Sequence, residues 1–218
     1  MVKFSSDVDI LKYEPVLFGE LHLPSQVRAA GTGAGLSGTT LTGEGADFVG
    51  ADVEAGGVVY LRSHDGLLDG LYEIVSVDSA TELTISILRA DTGDDPVAPP
   101  AADDLSYRIS TLRPQAVEAA CDLTAYFGIQ PGNPTSVISV EQVIDTEVLR
   151  RVSVFAIISC VYAMWAGQAK SDSFWEKSLH YQRLFEKARR QCHLAVDLGT
   201  DGIADVTRAG GAIKLVRD

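Results

Sequence analysis

Three aspartates spaced four apart, Asp197, Asp201 and Asp205, are the first residues in this chain that could do chemistry. Carboxylates so placed, with Gly202 between the last two, resemble the way a calcium loop presents oxygen ligands. With Asp197 as position 1, Asp201, Gly202 and Asp205 fall at positions 5, 6 and 9, but position 3 is Gly199 and position 12, where a bidentate Glu belongs, is Arg208. Two lost oxygens and an added cation favour helix-stopping Gly and Asp turn chemistry over a metal site. Gly33, Gly35 and Gly38 fit G-x-G-x-x-G, but a proline-bearing segment precedes them and a β-like or loop sequence follows. A dinucleotide site needs a strand before and a helix after, so the stretch reads as a flexible linker. His193 lies four residues before Asp197 and 13 after His180, with no second histidine on its face at ligand spacing. Cys121, Cys160 and Cys192 lack knuckle or redox spacing and read as reduced thiols within helical, apolar patterns. Arg189 and Arg190, with Lys187 and Arg183, could face phosphates; a solvated face or pairing with a neighbouring subunit's acids is the plainer reading. No residue is assigned as catalytic, cofactor-binding or metal-ligating.

The elements that must carry these residues divide the chain. Residues 1–39 read as an N-terminal arm with a short helix, limited by Pro15 and Pro24, and then the glycine-rich linker. Residues 40–110 read as a β module. Its segments at 58–61, 71–77, 82–88 and 105–109 are rich in Val, Ile, Thr and Tyr, and Leu83, Ile85 and Ile87 alternate with polar neighbours. Four or five short antiparallel strands closed into a small barrel follow, with a long acidic, proline-bearing loop at 91–104 of the functional or mobile kind. Residues 111–198 read as a helix bundle: a first helix ending near Gly128, a second after Ser139 to about Gln168, and a third starting after Ser171, Asp172 and Ser173 and running to about Val196. The central apolar run, 152–166, has 15 residues, short of the ~20 that cross a bilayer. Residues 199–218 form a turn and a short apolar tail suited to docking on the β module or on an adjacent subunit. The fold class is α+β, a small antiparallel bundle with an inserted barrel-like module and extended arms.

Charge narrows the function. The net charge is −12, and residues 41–110 alone hold 14 acids against Arg62, Arg89 and Arg108. Nucleic-acid affinity rests on Lys and Arg, so that module does not read as a phosphate binder.

In order and pattern the chain resembles the head-to-tail adaptor (neck, or connector) proteins of tailed bacteriophages. The resemblance rests on residues 13–18 (YEPVLF), on 46–49 and 55–60 opening the β insert, on 112–116 at the helix start, and on 180–205 with 213–217 at the close. It implies a structural virion protein of the neck, made in the host cytoplasm, whose helical cores form a ring, typically of twelve subunits, beneath the portal. The implied partners are further copies, the portal and the next neck or tail component, with genomic DNA passing through without sequence-specific binding and no membrane. The family has no catalytic residues and no cofactor. A tail-completion or terminator ring, usually a hexamer, is the alternative within the structural class; a metal- or nucleotide-binding enzyme is the alternative outside it.

Overall fold

The computed structural model describes residues 1–169, 172–199 and 201–210. The chain folds as two compact units. One is Ser6–Leu112; the other joins Met1–Ser5 to the residues from Arg113 on.

The first unit is built on a closed antiparallel barrel of six strands. These are β1 (Val27–Ser37), β2 (Thr40–Thr42), β3 (Val58–Ser63), β4 (Asp69–Val77), β5 (Glu82–Ser86) and β6 (Ala102–Ser110), in the spatial order β1-β2-β5-β4-β3-β6. The period-2 pattern has its expected result at two of its three positions: Leu83 and Ile85 point inward with Leu36, Leu41, Phe48, Val59, Leu61, Ile74, Leu105, Tyr107 and Ile109, whereas Ile87, past the end of β5, is exposed. Each such side chain contributes roughly 1.5–3 kcal/mol by leaving water. Phe48 meets Tyr107 edge-on, ring centroids 5.6 Å apart. Ahead of the barrel lies a short helix, α1 (Asp7–Leu11), opened by Ser6 and Asp9 in a reciprocal capping box. The Asp7 carboxylate accepts the Leu112 amide at 2.8 Å and so ties the start of the unit to its end.

The glycine-rich linker is the main correction. Residues 31–37 lie inside β1, which pairs with β2 on one side and β6 on the other. Gly31 is required because a Cβ there would sit 2.8 Å from the Tyr107 ring. Gly33, at φ 76°, falls where the register with β6 shifts and the strand bends. Gly31 thus fits the strand around a large inward side chain, and Gly33 supplies the positive φ at the register shift. The barrel unit therefore begins at Ser6, not at residue 40, and takes up the expected arm.

In the second unit α2 (Arg113–Phe127) stops at Gly128, whose φ of 68° suits a residue without a Cβ. The second helix begins later than its spacing predicts. Two 3₁₀ turns, Val140–Gln142 and Glu147–Leu149, follow Ser139, and α3 spans Arg150–Ala169. Between them Val143 bridges to Val196, and the Ile144 amide donates to the Ala195 carbonyl at 3.0 Å, so β-branched residues join a ladder rather than a helix. The third helix, α4 (Asp172–Gln191), ends sooner than expected. Residues His193–Val196 form β7, paired with β8 (Val206–Ala209), because Leu194 and Val196 bury on one side while His193 faces out. The stretch 180–196 is thus a helix and then a strand, and 197–199 and 201–205 belong to the turn between β7 and β8. The tail at 212–217 lies outside the described residues.

α3 and α4 run antiparallel, with Phe155 against Tyr181, Ser159 against Ser178 and Tyr162 against Phe174; α2 packs on α3. Phe4, Leu123, Phe127, Ile129, Leu149, Val152, Leu194 and Val196 share a core. With the turn before it, α3 makes a 23-residue apolar helix long enough to cross a membrane, so the length argument from its 15-residue run does not hold. Eight of its residues, from Val152 to Tyr162, are buried, as befits a core helix.

Candidate functional site

The acidic turn organises the β7–β8 hairpin. Asp205 accepts the amides of Leu198 and Gly199 at 2.8 and 3.1 Å, Asp197 that of Gly202 at 2.6 Å, and Asp201 that of Ile203 at 2.9 Å. The carboxylates thus cap loop amides beyond the point where the Asp205 amide, donating to the Val196 carbonyl at 3.0 Å, closes the ladder. Among the described residues no group of three or more His, Cys, Asp or Glu side chains stands ready to hold a metal ion. His180 lies edge-on to Tyr181, and His193 faces outward on β7. Cys121, Cys160 and Cys192 form no disulfide. The basic cluster on α4 is split. The Arg189 guanidinium stacks over Tyr126 at 4.2 Å and Phe185 at 4.7 Å, whereas Arg190 pairs with Glu186 at 3.6 Å. These groups do not converge on one phosphate.

Two arrangements in the barrel unit lie beyond the sequence reading. The first is a cleft of about 610 Å³ between residues 15–22 and strands β3, β4 and β6. In it the Tyr60 hydroxyl donates to Asp69 at 2.6 Å, and the Arg108 guanidinium lies 4.8 Å over the Tyr60 ring. Arg108 also donates to the carbonyls of Phe18 and Gly19 at 3.2 and 2.8 Å. The hydrogen bond to Asp69, then burial and the carboxylate's charge, raise the Tyr60 pKa above the ordinary tyrosine value. Arg108 thereby staples the 15–22 segment to the barrel wall.

The second is a buried ion pair. Arg89 meets Glu73 with Nη2 to Oε1 at 2.7 Å and Nε to Oε2 at 3.3 Å. Its Nη1 donates to the carbonyls of Thr92 and Asp94 at 3.0 and 2.6 Å. The Glu73 contact raises the Arg89 pKa further. Around it, the Val97 amide donates to Ser86 Oγ at 2.8 Å and Lys12 Nζ to the Ala90 carbonyl at 3.1 Å. The acidic loop is held at its base while Asp91, Asp94, Asp95 and Val97 stand exposed. Arg89 is one of three basic residues among 14 acids in residues 41–110, and that rarity was the available signal.

In the helical unit, residues 152–169 carry no charge, yet Cys160, Met164 and Gly167 face out along α3. Trp175, near the start of α4, is 53% exposed. At the other end of the pair a groove of about 380 Å³ has Val152, Phe155, Leu184 and Ala188 in its floor and Arg151 and Lys187 among its lining, with no acidic residue. The Arg151 guanidinium lies 5.3 Å over the Phe155 ring.

The fold and these surfaces define an α+β protein in which a closed six-stranded antiparallel barrel accompanies a helical unit. No family model, no curated protein and no solved structure matches the chain.

Proposed function

We propose that the protein is a structural component of a tailed-bacteriophage virion: a head-to-tail adaptor whose copies form a ring beneath the portal and connect it to the neck and tail. The observation that carries this reading is the outer face of α3, where an uncharged stretch of 18 residues leaves Cys160, Met164 and Gly167 in water. An apolar helix face without a charge to solvate it calls for a cover. A head-to-tail interface that closes on itself supplies one for every copy. The helical unit, read as a small antiparallel bundle, forms the ring body and binds portal on one side and the next tail component on the other.

Charge supports the same reading. Ser6–Leu112 holds 18 acids and 5 bases, net −13, while the rest of the chain holds 12 and 13, net +1. An acidic unit beside a DNA conduit repels the passing duplex and keeps it from sticking. The reading has no catalytic residue and no cofactor.

Native mass spectrometry, alone and with portal, tests it. The expected result is a protein that joins the portal ring at one copy per portal subunit. A free hexamer would replace the adaptor with a terminator ring, and micromolar calcium or nucleotide binding by calorimetry would end the purely structural account. Finding Ser6–Leu112 on the outside of the ring, away from the lumen, would remove its conduit role.

A further inference from the structure

We infer that the groove between the start of α3 and the end of α4 is the socket for the acidic proline-bearing loop, residues 91–100, of a second copy of this chain. This inference rests on the ring reading and adds to it the contact that joins neighbours. The groove offers an apolar floor, Val152, Phe155, Leu184 and Ala188, with Arg151 and Lys187 beside it. Its volume of about 380 Å³ lies within the range of pockets that enclose a few side chains. The loop offers the complement. Val97 is 50% exposed, Asp94 and Asp95 precede it, and Pro96, Pro99 and Pro100 restrict the backbone around it.

The loop is also prepared for docking. The Glu73–Arg89 pair grips the carbonyls of Thr92 and Asp94, and Ser86 fixes Val97. Little conformational freedom is left to lose on binding. Opposite charges on the two surfaces favour the encounter and set its register. The last residues of the chain are poorer occupants, because Lys214 and Arg217 carry the same sign as Arg151 and Lys187. Every copy has one loop and one groove on different units, and that pairing is the heterologous contact from which rings are made.

Charge reversal and a cross-link test the proposal. Arg151→Glu with Lys187→Glu, and separately Asp94→Lys with Asp95→Lys, are each expected to lower ring formation on purified portal by about tenfold or more, the scale for truncating desolvated charge pairs. Circular dichroism melting of each variant should match the wild type. Mixing the two variants should restore neighbour contacts, since the reversed groove of one fits the reversed loop of the other. Independently, Val97→Cys in a Cys160→Ser background should oxidise onto Cys192, which lines the groove, and give covalent oligomers on a non-reducing gel. Burial raises the Cys192 pKa, so the oxidation belongs at mildly alkaline pH. Cys192→Ser should abolish the product. If wild-type rings form and both charge-reversed variants form them equally well, the docking is wrong while the ring stands. A cross-link confined to the monomer would overturn the second-copy assignment. Loss of portal binding without rescue on mixing would also overturn it and give the groove to portal. A wild-type protein that never forms a ring with portal would remove the ring reading itself, and the docking with it.

Discussion

At the scale of single residues, two of the barrel unit's five cations serve its own structure, while Lys12 and Arg62 stay exposed. Arg89 is buried on Glu73 and Arg108 staples two backbone carbonyls, so an acidic surface coexists with internal positive charges. Removing one member of a buried pair strands the other charge and costs about 3–5 kcal/mol, whereas replacing both with apolar groups of similar size is often neutral. Glu73→Ala and Arg89→Ala should each lower stability by that amount in chemical denaturation. The double variant Glu73→Leu/Arg89→Met should fall by less than either. Equal losses in all three would mean that the pair does not act as a unit. Tyr60 provides the pH-dependent counterpart. Its folded pKa is raised, chiefly by donating to Asp69, so this contribution is complete below the unfolded value of about 10 and is lost as pH climbs through the folded one. Absorbance titration at alkaline pH should show late-ionising tyrosines in the wild type, and Asp69→Asn should return Tyr60 towards the ordinary value. An unchanged titration would remove Asp69 as the cause. Beyond the rarity of Arg89 among acids, none of this could be read in the sequence, since Glu73 meets Arg89 only once β4 pairs with β5, and Tyr60 meets Arg108 only once β3 pairs with β6.

At the scale of elements, legibility followed periodicity. Strands β3 to β6 announce themselves by β-branched and aromatic runs, and α2 by its proline start and glycine stop. β1 was missed because its glycines carry no periodic signal, and β2, three residues inside the expected β module, is too short to show one. The reason for Gly31 is a neighbour, Tyr107, that lies 76 positions later in the chain. Gly31→Ala should therefore destabilise the barrel by about 1–3 kcal/mol, the usual cost of overpacking. Tyr107→Leu in the same chain should recover part of that loss, because the two positions share one space. Additive losses would place the strain elsewhere. β7 was lost inside a helix for a related reason: four residues of alternation are too short to compete with the helical pattern before them. The candidate surfaces were half legible. The long acidic loop and the uncharged central helix stand out in the sequence, but the groove needs Val152 and Phe155 beside Leu184 and Ala188, roughly a helix hairpin apart.

At the scale of the whole molecule, the barrel unit is a single excursion of the chain, leaving after Ser5 and ending at Leu112. The Asp7 carboxylate on the Leu112 amide holds the two ends of that excursion together at 2.8 Å. A closed barrel has no open edges to satisfy, and this one encloses its own apolar core. These features predict that a fragment of Ser6–Leu112 folds alone, unfolding in one cooperative step by calorimetry and retaining β circular dichroism. It should stay monomeric, because the proposed socket for its loop lies on α3 and α4. Adding the full chain to that fragment should then give a complex that charge reversal of Asp94 and Asp95 weakens. Failure of the fragment to fold would show that the barrel depends on the helical unit for its stability. A folded fragment that self-associates without α3 and α4 would instead place the contact between copies on the barrel itself.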